Sequence, residues 1–170
     1  PTLVNGMLVI GGWVTDGQKT GEPSGVIRAF DAVSGAFAWA WDMGHPDKQN
    51  EPAEGETYTP GTPNSWAPMS ADEKLGLVFA PMGNATPDYH GGHRSPEMDK
   101  YSSAVVALDA TTGKPRWHFQ TTHHDLWDYD VGSQPVLIDL ADGRPALLQP
   151  TKRGEIFMLD RRTGEPIAEV

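Results

Sequence analysis

Apolar residues along this chain come in short runs, each ended by Gly, Pro, Asp or Asn. The runs Met7–Ile10, Leu75–Pro81, Gln134–Leu140 and Pro145–Leu148 have the length and the bounding residues of β-strands. No stretch keeps apolar positions at helical spacing over several turns, so the pattern predicts strands joined by turns.

Further strands belong to a unit that recurs. Ile27-Arg-Ala-Phe-Asp31-Ala-Val-Ser-Gly35 leads to Trp39, Val105-Val-Ala-Leu-Asp109-Ala-Thr-Thr-Gly113 leads to Trp117, and Ile156-Phe-Met-Leu-Asp160-Arg-Arg-Thr-Gly164 leads to Ile167 and Ala168. The third copy lacks the Trp. In each copy the Asp can accept hydrogen bonds from turn amides, and the Gly can take a positive φ. The unit therefore predicts a hairpin, with Trp39 and Trp117 opening the return strands and packing against a neighbouring sheet.

Asp31 and Asp109 are 78 positions apart, and Asp109 and Asp160 are 51 apart. The shorter interval is close to the ~40–50 residues of a four-stranded propeller blade. The longer one predicts an insertion, placed at Asp42–Ser65, which has four prolines and no strand pattern. A loop of that length suits the rim of an active site. The fold expected is all-β, a partial β-propeller of roughly two to three blades over residues 1–170, with a β-sandwich as the alternative. The chain opens on Pro1 and closes on Val170 in a strand-like stretch, as a piece of a longer protein would.

Composition sharpens this picture. With 19 Gly and 15 Pro in 170 residues and 38 % apolar residues, the chain suits many short strands and argues against a helical bundle. A net charge of −10 makes nucleic acid a poor partner, because phosphate binding needs clustered Lys and Arg. The absence of Cys removes disulfides, thiol catalysis and Cys-type zinc sites. No apolar run approaches the ~18–20 residues of a membrane span.

Candidate chemistry lies between the repeats, in Gly11-Gly-Trp13-Val-Thr-Asp16-Gly17, Asn64-Ser-Trp66-Ala-Pro68, Gly83-Asn84-Ala-Thr86-Pro-Asp88, Thr121-Thr-His123-His124-Asp125-Leu-Trp127-Asp128 and Pro150-Thr-Lys152-Arg153-Gly154. Taken singly each has a plain reading: a packed Trp, a turn, a solvated Lys. Adjacent His123 and His124 would point to opposite faces of a strand, which favours hydrogen bonding within the site or the core over a shared ion with Asp125. No Gly-x-Ser-x-Gly elbow marks a serine nucleophile.

Taken together and in order, the motifs GGWVTD, PSGVIRAFDAVSG, NSWAPMSADEKLGLVF, GNATPD, YSSAVVALDATTGK, HHDLWDYD and PTKRGEIFMLDRRTGEP resemble the membrane-bound glucose dehydrogenases that depend on pyrroloquinoline quinone (PQQ). Quinate/shikimate-type enzymes are relatives in that family. The resemblance runs along essentially the whole chain. It implies an eight-bladed propeller with Trp-docking repeats, PQQ, and a Ca²⁺ or Mg²⁺ ion. It also implies roles: Trp66 stacks on the quinone; Asp16, Asn84 and Thr86 hold the ion, with Thr86 also beside the cofactor; Asp125 is the catalytic base; Lys152 sits at the reactive carbonyl. Gly17 departs from the pattern, where many relatives carry a second polar residue.

The activity implied is oxidation of an aldose, glucose to its lactone, with electrons passed to ubiquinone. The location implied is the periplasm, with attachment to the inner membrane through parts outside this chain. Quinate/shikimate or polyol oxidation is the alternative within the class. A non-catalytic propeller scaffold is the alternative outside it, and such a scaffold would not need Asp16, Trp66, Thr86, Asp125 and Lys152 to converge.

Overall fold

The computed structural model describes residues 1–168, so the strand-like ending expected at Val170 lies outside the described residues. Four strands, β1 (Thr2–Val4), β2 (Met7–Ile10), β3 (Ile27–Asp31) and β4 (Phe37–Trp41), form an antiparallel meander. A second meander holds β5 (Ser70–Asp72), β6 (Leu77–Pro81), β7 (Ala104–Asp109) and β8 (Pro115–Gln120). The third sheet has β9 (Val136–Asp139), β10 (Pro145–Pro150) and β11 (Ile156–Asp160), and the chain then returns to pair Pro166 with Leu159. These are propeller blades in sequence order.

The middle blade is buried on both faces, which is why its two middle strands, β6 and β7, read as unbroken apolar runs. Val78, Ala80, Val106 and Leu108 pack with Val9, Ile27, Trp39 and Trp41 of the first blade. Their neighbours Leu77, Phe79, Val105 and Ala107 pack with Leu147 and Leu159 of the third. Side chains alternate across a strand, so two cores form from one sheet.

The repeated unit folds as expected and docks more specifically than its sequence shows. Asp31 Oδ1 accepts the Val33 and Ser34 amides at 3.1 and 2.7 Å, and Asp109 Oδ1 accepts those of Thr111 and Thr112 at 3.1 and 2.9 Å. The three glycines take φ of 72°, 71° and 75°. Trp39 is buried against the next blade and donates Nε1–H to the Ala110 carbonyl at 3.0 Å. Trp117 does the same to Arg161 at 3.0 Å. Each indole lies over the turn glycine of the following blade, Gly113 or Gly164.

One short helix adds to the strands, and the bounds of the insertion and of two strands need correction. A helix, α1 (Pro96–Tyr101), is present: Ser95 caps it by accepting the Met98 amide, and Pro96 opens it. Six residues are too few to leave a periodic trace. The long repeat interval holds two insertions, because residues 82–103 between β6 and β7 add to the 42–69 connection. The run begun at Leu75 enters its strand only at Leu77, since Gly76 still belongs to the turn, and Gln134–Leu140 is strand only over Val136–Asp139.

Candidate active site

In a four-stranded meander the loop between the second and third strands leaves the same end as the connection to the next blade. All five candidate motifs lie in such segments, and the Asp-x-x-x-Gly turns lie at the opposite end. The topology thus gathers Asp16, Trp66, residues 84–88, residues 125–132 and Lys152 at one end.

The centre is a hydrogen-bonded group around Asp130, the last residue of HHDLWDYD, to which the sequence reading gave no role. Asp130 is buried; its Oδ1 accepts the Asn84 amide at 2.7 Å, and its Oδ2 accepts Trp66 Nε1–H and Lys152 Nζ–H, both at 3.1 Å. Lys152 also donates to Asp128 Oδ1 at 2.9 Å and to the Asp128 carbonyl at 3.0 Å. Burial works against the ammonium, but the bonds to Asp128 and Asp130 outweigh it and hold Lys152 above its ordinary pKa. Asp128 titrates above the usual carboxylate range because it is partly buried and faces Asp130, with Lys152 opposing the shift.

Trp66 stands 39 % exposed at this centre. Gly132 lets the chain close onto its benzo ring, where a Cβ would come within 2.9 Å. The indole also borders an open cavity of about 820 Å³ between the inner strands β1, β5 and β9. Neither Lys152 nor the carboxylates line that cavity, so Trp66 alone links it to the charged group.

A second cluster of oxygens lies beside the first. Asn64 Nδ2 donates to Asp16 Oδ2 at 3.2 Å, and the Asp88 amide donates to the Asp16 carbonyl at 3.2 Å. Asn64 Oδ1, Thr86 Oγ1 and Asp88 Oδ1 are buried without a hydrogen-bond partner. Burial, and then repulsion from Asp16, Asp128 and Asp130, raises the Asp88 carboxyl to about 7, against the pull of Lys152. Among the described residues no three carboxylates or histidines converge on one point, so an ion here must also draw on amide or hydroxyl oxygens. Unpartnered oxygens within a crowd of negative charge are what a hard divalent cation satisfies, and this donor chemistry fits Ca²⁺ or Mg²⁺.

Two motif residues are placed differently from the rest. Asn84 spends its amide on the loop, with Nδ2 donating to the Asp88 and Asp125 carbonyls at 3.0 and 3.1 Å and Oδ1 accepting the Ala85 amide. Asp125 is fully buried. Its Oδ2 accepts Ser103 Oγ–H at 2.6 Å and the Tyr129 amide at 2.7 Å, and its Oδ1 accepts the Trp127 amide at 2.9 Å. It folds the 125–130 loop and presents no free oxygen to the cluster. Asp128, at φ 61°, is turned toward Lys152 instead. His123 and His124 are exposed, and His124 Nδ1 bonds Asp99 at 3.0 Å.

The sequence offered a signal for Asp130, which closes the HHDLWDYD motif two residues after Asp128. Asp88 ended a motif that local grammar reads as a turn.

Residues 1–170 match the family model of the PQQ glucose/ethanol/alcohol dehydrogenase β-propeller domain. The chain is 55 % identical to the glycerol dehydrogenase large subunit of Gluconobacter oxydans over all of its own length and 23 % of the relative's. It is 49 % identical to the quinoprotein glucose dehydrogenase of Escherichia coli over 97 % of its length and 21 % of the relative's. A quinohemoprotein alcohol dehydrogenase of Pseudomonas putida superposes with a TM-score of 0.74 at 29 % identity, over 99 % of this chain and 26 % of that one. The chain thus spans between a fifth and a quarter of these two curated relatives. Sheets, docking tryptophans and family match converge on one statement: the chain belongs to the PQQ-dependent dehydrogenase β-propeller family.

Proposed function

We propose that this chain supplies one wall of the PQQ site of a dehydrogenase that oxidises an alcohol group of a sugar or polyol. The observation that carries the proposal is the Trp66–Asp130–Lys152–Asp128 group, in which a half-exposed indole is fixed beside a paired ammonium and carboxylate. When bound, PQQ supplies an electron-poor quinone that accepts hydride from the carbon bearing the hydroxyl.

Trp66 offers its ring to a planar cofactor, and Asp130 fixes its tilt through Nε1. Lys152 places positive charge where negative charge develops, which stabilises the transition state more than the ground state. The base role expected at Asp125 passes to Asp128. Asp128 is partly exposed and its pKa is raised toward the operating range of a general base, whereas the oxygens of Asp125 are committed to the loop. Asp125 then acts by holding that loop. Asp16, Thr86, Asn64 and Asp88 would hold the divalent cation, which would polarise a quinone oxygen; Asn84 keeps their loop in place.

Identity to the glycerol dehydrogenase subunit is higher than to the glucose enzyme, which supports a polyol over an aldose. Transfer of electrons to ubiquinone, the periplasmic location and the membrane anchor outside this chain rest on the resemblance to membrane-bound glucose dehydrogenases. Among the described residues no helix is long and apolar enough to cross a membrane. The test is single-turnover bleaching of the oxidised quinone in full-length protein loaded with PQQ and Ca²⁺ or Mg²⁺. Glycerol, glucose and quinate are offered separately. Reduction by glycerol or glucose is the result expected; reduction by quinate alone would move the substrate to the cyclitol acids, and no reduction by any alcohol would overturn the proposal.

A further inference from the structure

Arg94 lies outside every motif that pointed to the site, yet it touches both halves of it. Its side chain is only 1 % exposed. Nη1 donates to the Asp125 carbonyl at 2.7 Å. Nη2 faces the carbonyls of Ala85, Pro87 and Asp88 at 3.2, 3.4 and 3.4 Å. The neighbouring His93 Nε2 contacts the one carbonyl left between them, that of Thr86, at 2.6 Å. The carbonyls of residues 85–88 are therefore all engaged by Arg94 and His93.

We infer that Arg94 is a positioning residue that locks the 84–88 loop to the 125–130 loop. The lock keeps the Asp88 and Thr86 side chains in register with Asp128 and Asp130. This inference rests on the function proposed above for the site.

A guanidinium suits the task for two reasons. Its donors lie in one plane and reach carbonyls on two loops at once, which a lysine ammonium on a flexible stem does not reproduce. It also places positive charge against the two loops that carry Asp88, Asp128 and Asp130. Burial lowers its pKa from the ordinary value, while Asp99, Asp125 and Asp88 favour the charged form. Asp99 of α1 lies 3.8 Å from Nη1 and takes a contact from His124 Nδ1, so the helix is tied to the same point. This gives the insertion at residues 82–103 a purpose: it returns a cation to the 84–88 loop it carries and to the 125–130 loop beside it. Asn84 Nδ2 bridges the same two loops on its own, through the Asp88 and Asp125 carbonyls, so loss of Arg94 loosens the junction without opening it.

The experiment uses full-length protein with Arg94→Ala and Arg94→Lys. Hydrogen exchange without cofactor reads the lock directly. The amides of Asn84, Asp88, Trp127 and Tyr129 should exchange at least tenfold faster in Arg94→Ala, while those of the Trp39 and Trp117 strands keep their protection. With PQQ and Ca²⁺ saturating, kcat should fall about tenfold to a hundredfold, the usual cost of a misplaced catalytic group, and substrate KM should move less than threefold. Millimolar guanidinium should restore part of kcat to Arg94→Ala, and Arg94→Lys should fall between. Faster exchange in one loop alone, or in neither, would overturn the lock. Faster exchange in both loops with an unchanged kcat would overturn its role in the reaction. If wild-type protein fails to turn over with PQQ, the functional reading fails, and hydrogen exchange still decides the lock.

Discussion

Trp39 rests on Gly113 so closely that a Cβ on that glycine would come within 2.5 Å of the indole. Gly113 also needs its positive φ of 71° for the turn. Gly113→Ala therefore meets two penalties, backbone strain of about 1–2 kcal/mol and overpacking of about 1–3 kcal/mol. Gly143 has φ 83° with nothing near its missing Cβ, so Gly143→Ala meets only the first. Denaturant unfolding of both variants in the full-length protein should rank Gly113→Ala as the more damaging. Equal losses would mean that the docked indole gives way freely.

The same relationship repeats from Trp117 to Gly164, whereas Gly35, the equivalent glycine of the first blade, has nothing within 4 Å of its missing Cβ. A blade preceding it in the full-length protein should lay an indole there and donate Nε1–H to the Ala32 carbonyl. Gly35→Ala should then cost as much as Gly113→Ala when measured in the full-length protein. A cost matching Gly143→Ala would show that nothing docks on this turn.

Assigning the base to Asp128 separates two neighbouring aspartates. Asp128→Asn should leave PQQ bound and lower kcat by about 10²–10⁴-fold, the usual contribution of a general base. Asp125→Asn should act mainly on stability, because it replaces an acceptor of three hydrogen bonds inside the loop. Lys152 holds the Asp128 pKa down, so Lys152→Ala should move the acidic limb of the kcat profile to higher pH. A limb that stays in place would detach Lys152 from the base.

Asp88 should make the metal-free protein sensitive to pH. Its folded pKa of about 7 lies above the ordinary 3.8, so between those values the native state holds a proton that the unfolded state has released. Stability from this group therefore falls as pH rises from about 4 to about 7 and is level above that. Asp88→Asn should stabilise metal-free protein more at pH 8 than at pH 4.5, and added Ca²⁺ should shrink the difference. Thermal unfolding at the two pH values measures it, and an equal gain at both would remove Asp88 from the account.

The blades were legible in the sequence because the Asp-x-x-x-Gly turn is local chemistry written within five residues. The glycine beneath each Trp was not, since Trp39 finds Gly113 only after a whole blade has folded between them. Helix α1 left no period in its six residues, although Ser95-Pro96 carries the usual start signal of an N-cap followed by Pro. The motifs of the site were legible through their family resemblance and their order. The division of labour between Asp125 and Asp128 was not, because it depends on which carboxylate the turn amides of Trp127 and Tyr129 capture. Arg94 was invisible for the same reason: its partners are backbone carbonyls, and these have no signature in the sequence.

The central claim is that the Trp66 indole and the charged group behind it form a wall of the PQQ site. Equilibrium titration of full-length protein with PQQ in the presence of Ca²⁺ tests it most directly, comparing wild type with Trp66→Ala. Loss of a stacking ring should weaken binding by about 1–3 kcal/mol, on the order of 5- to 150-fold in Kd, and Trp66→Phe should recover part of the loss. A Trp66→Ala protein that binds PQQ with the wild-type Kd would contradict the account.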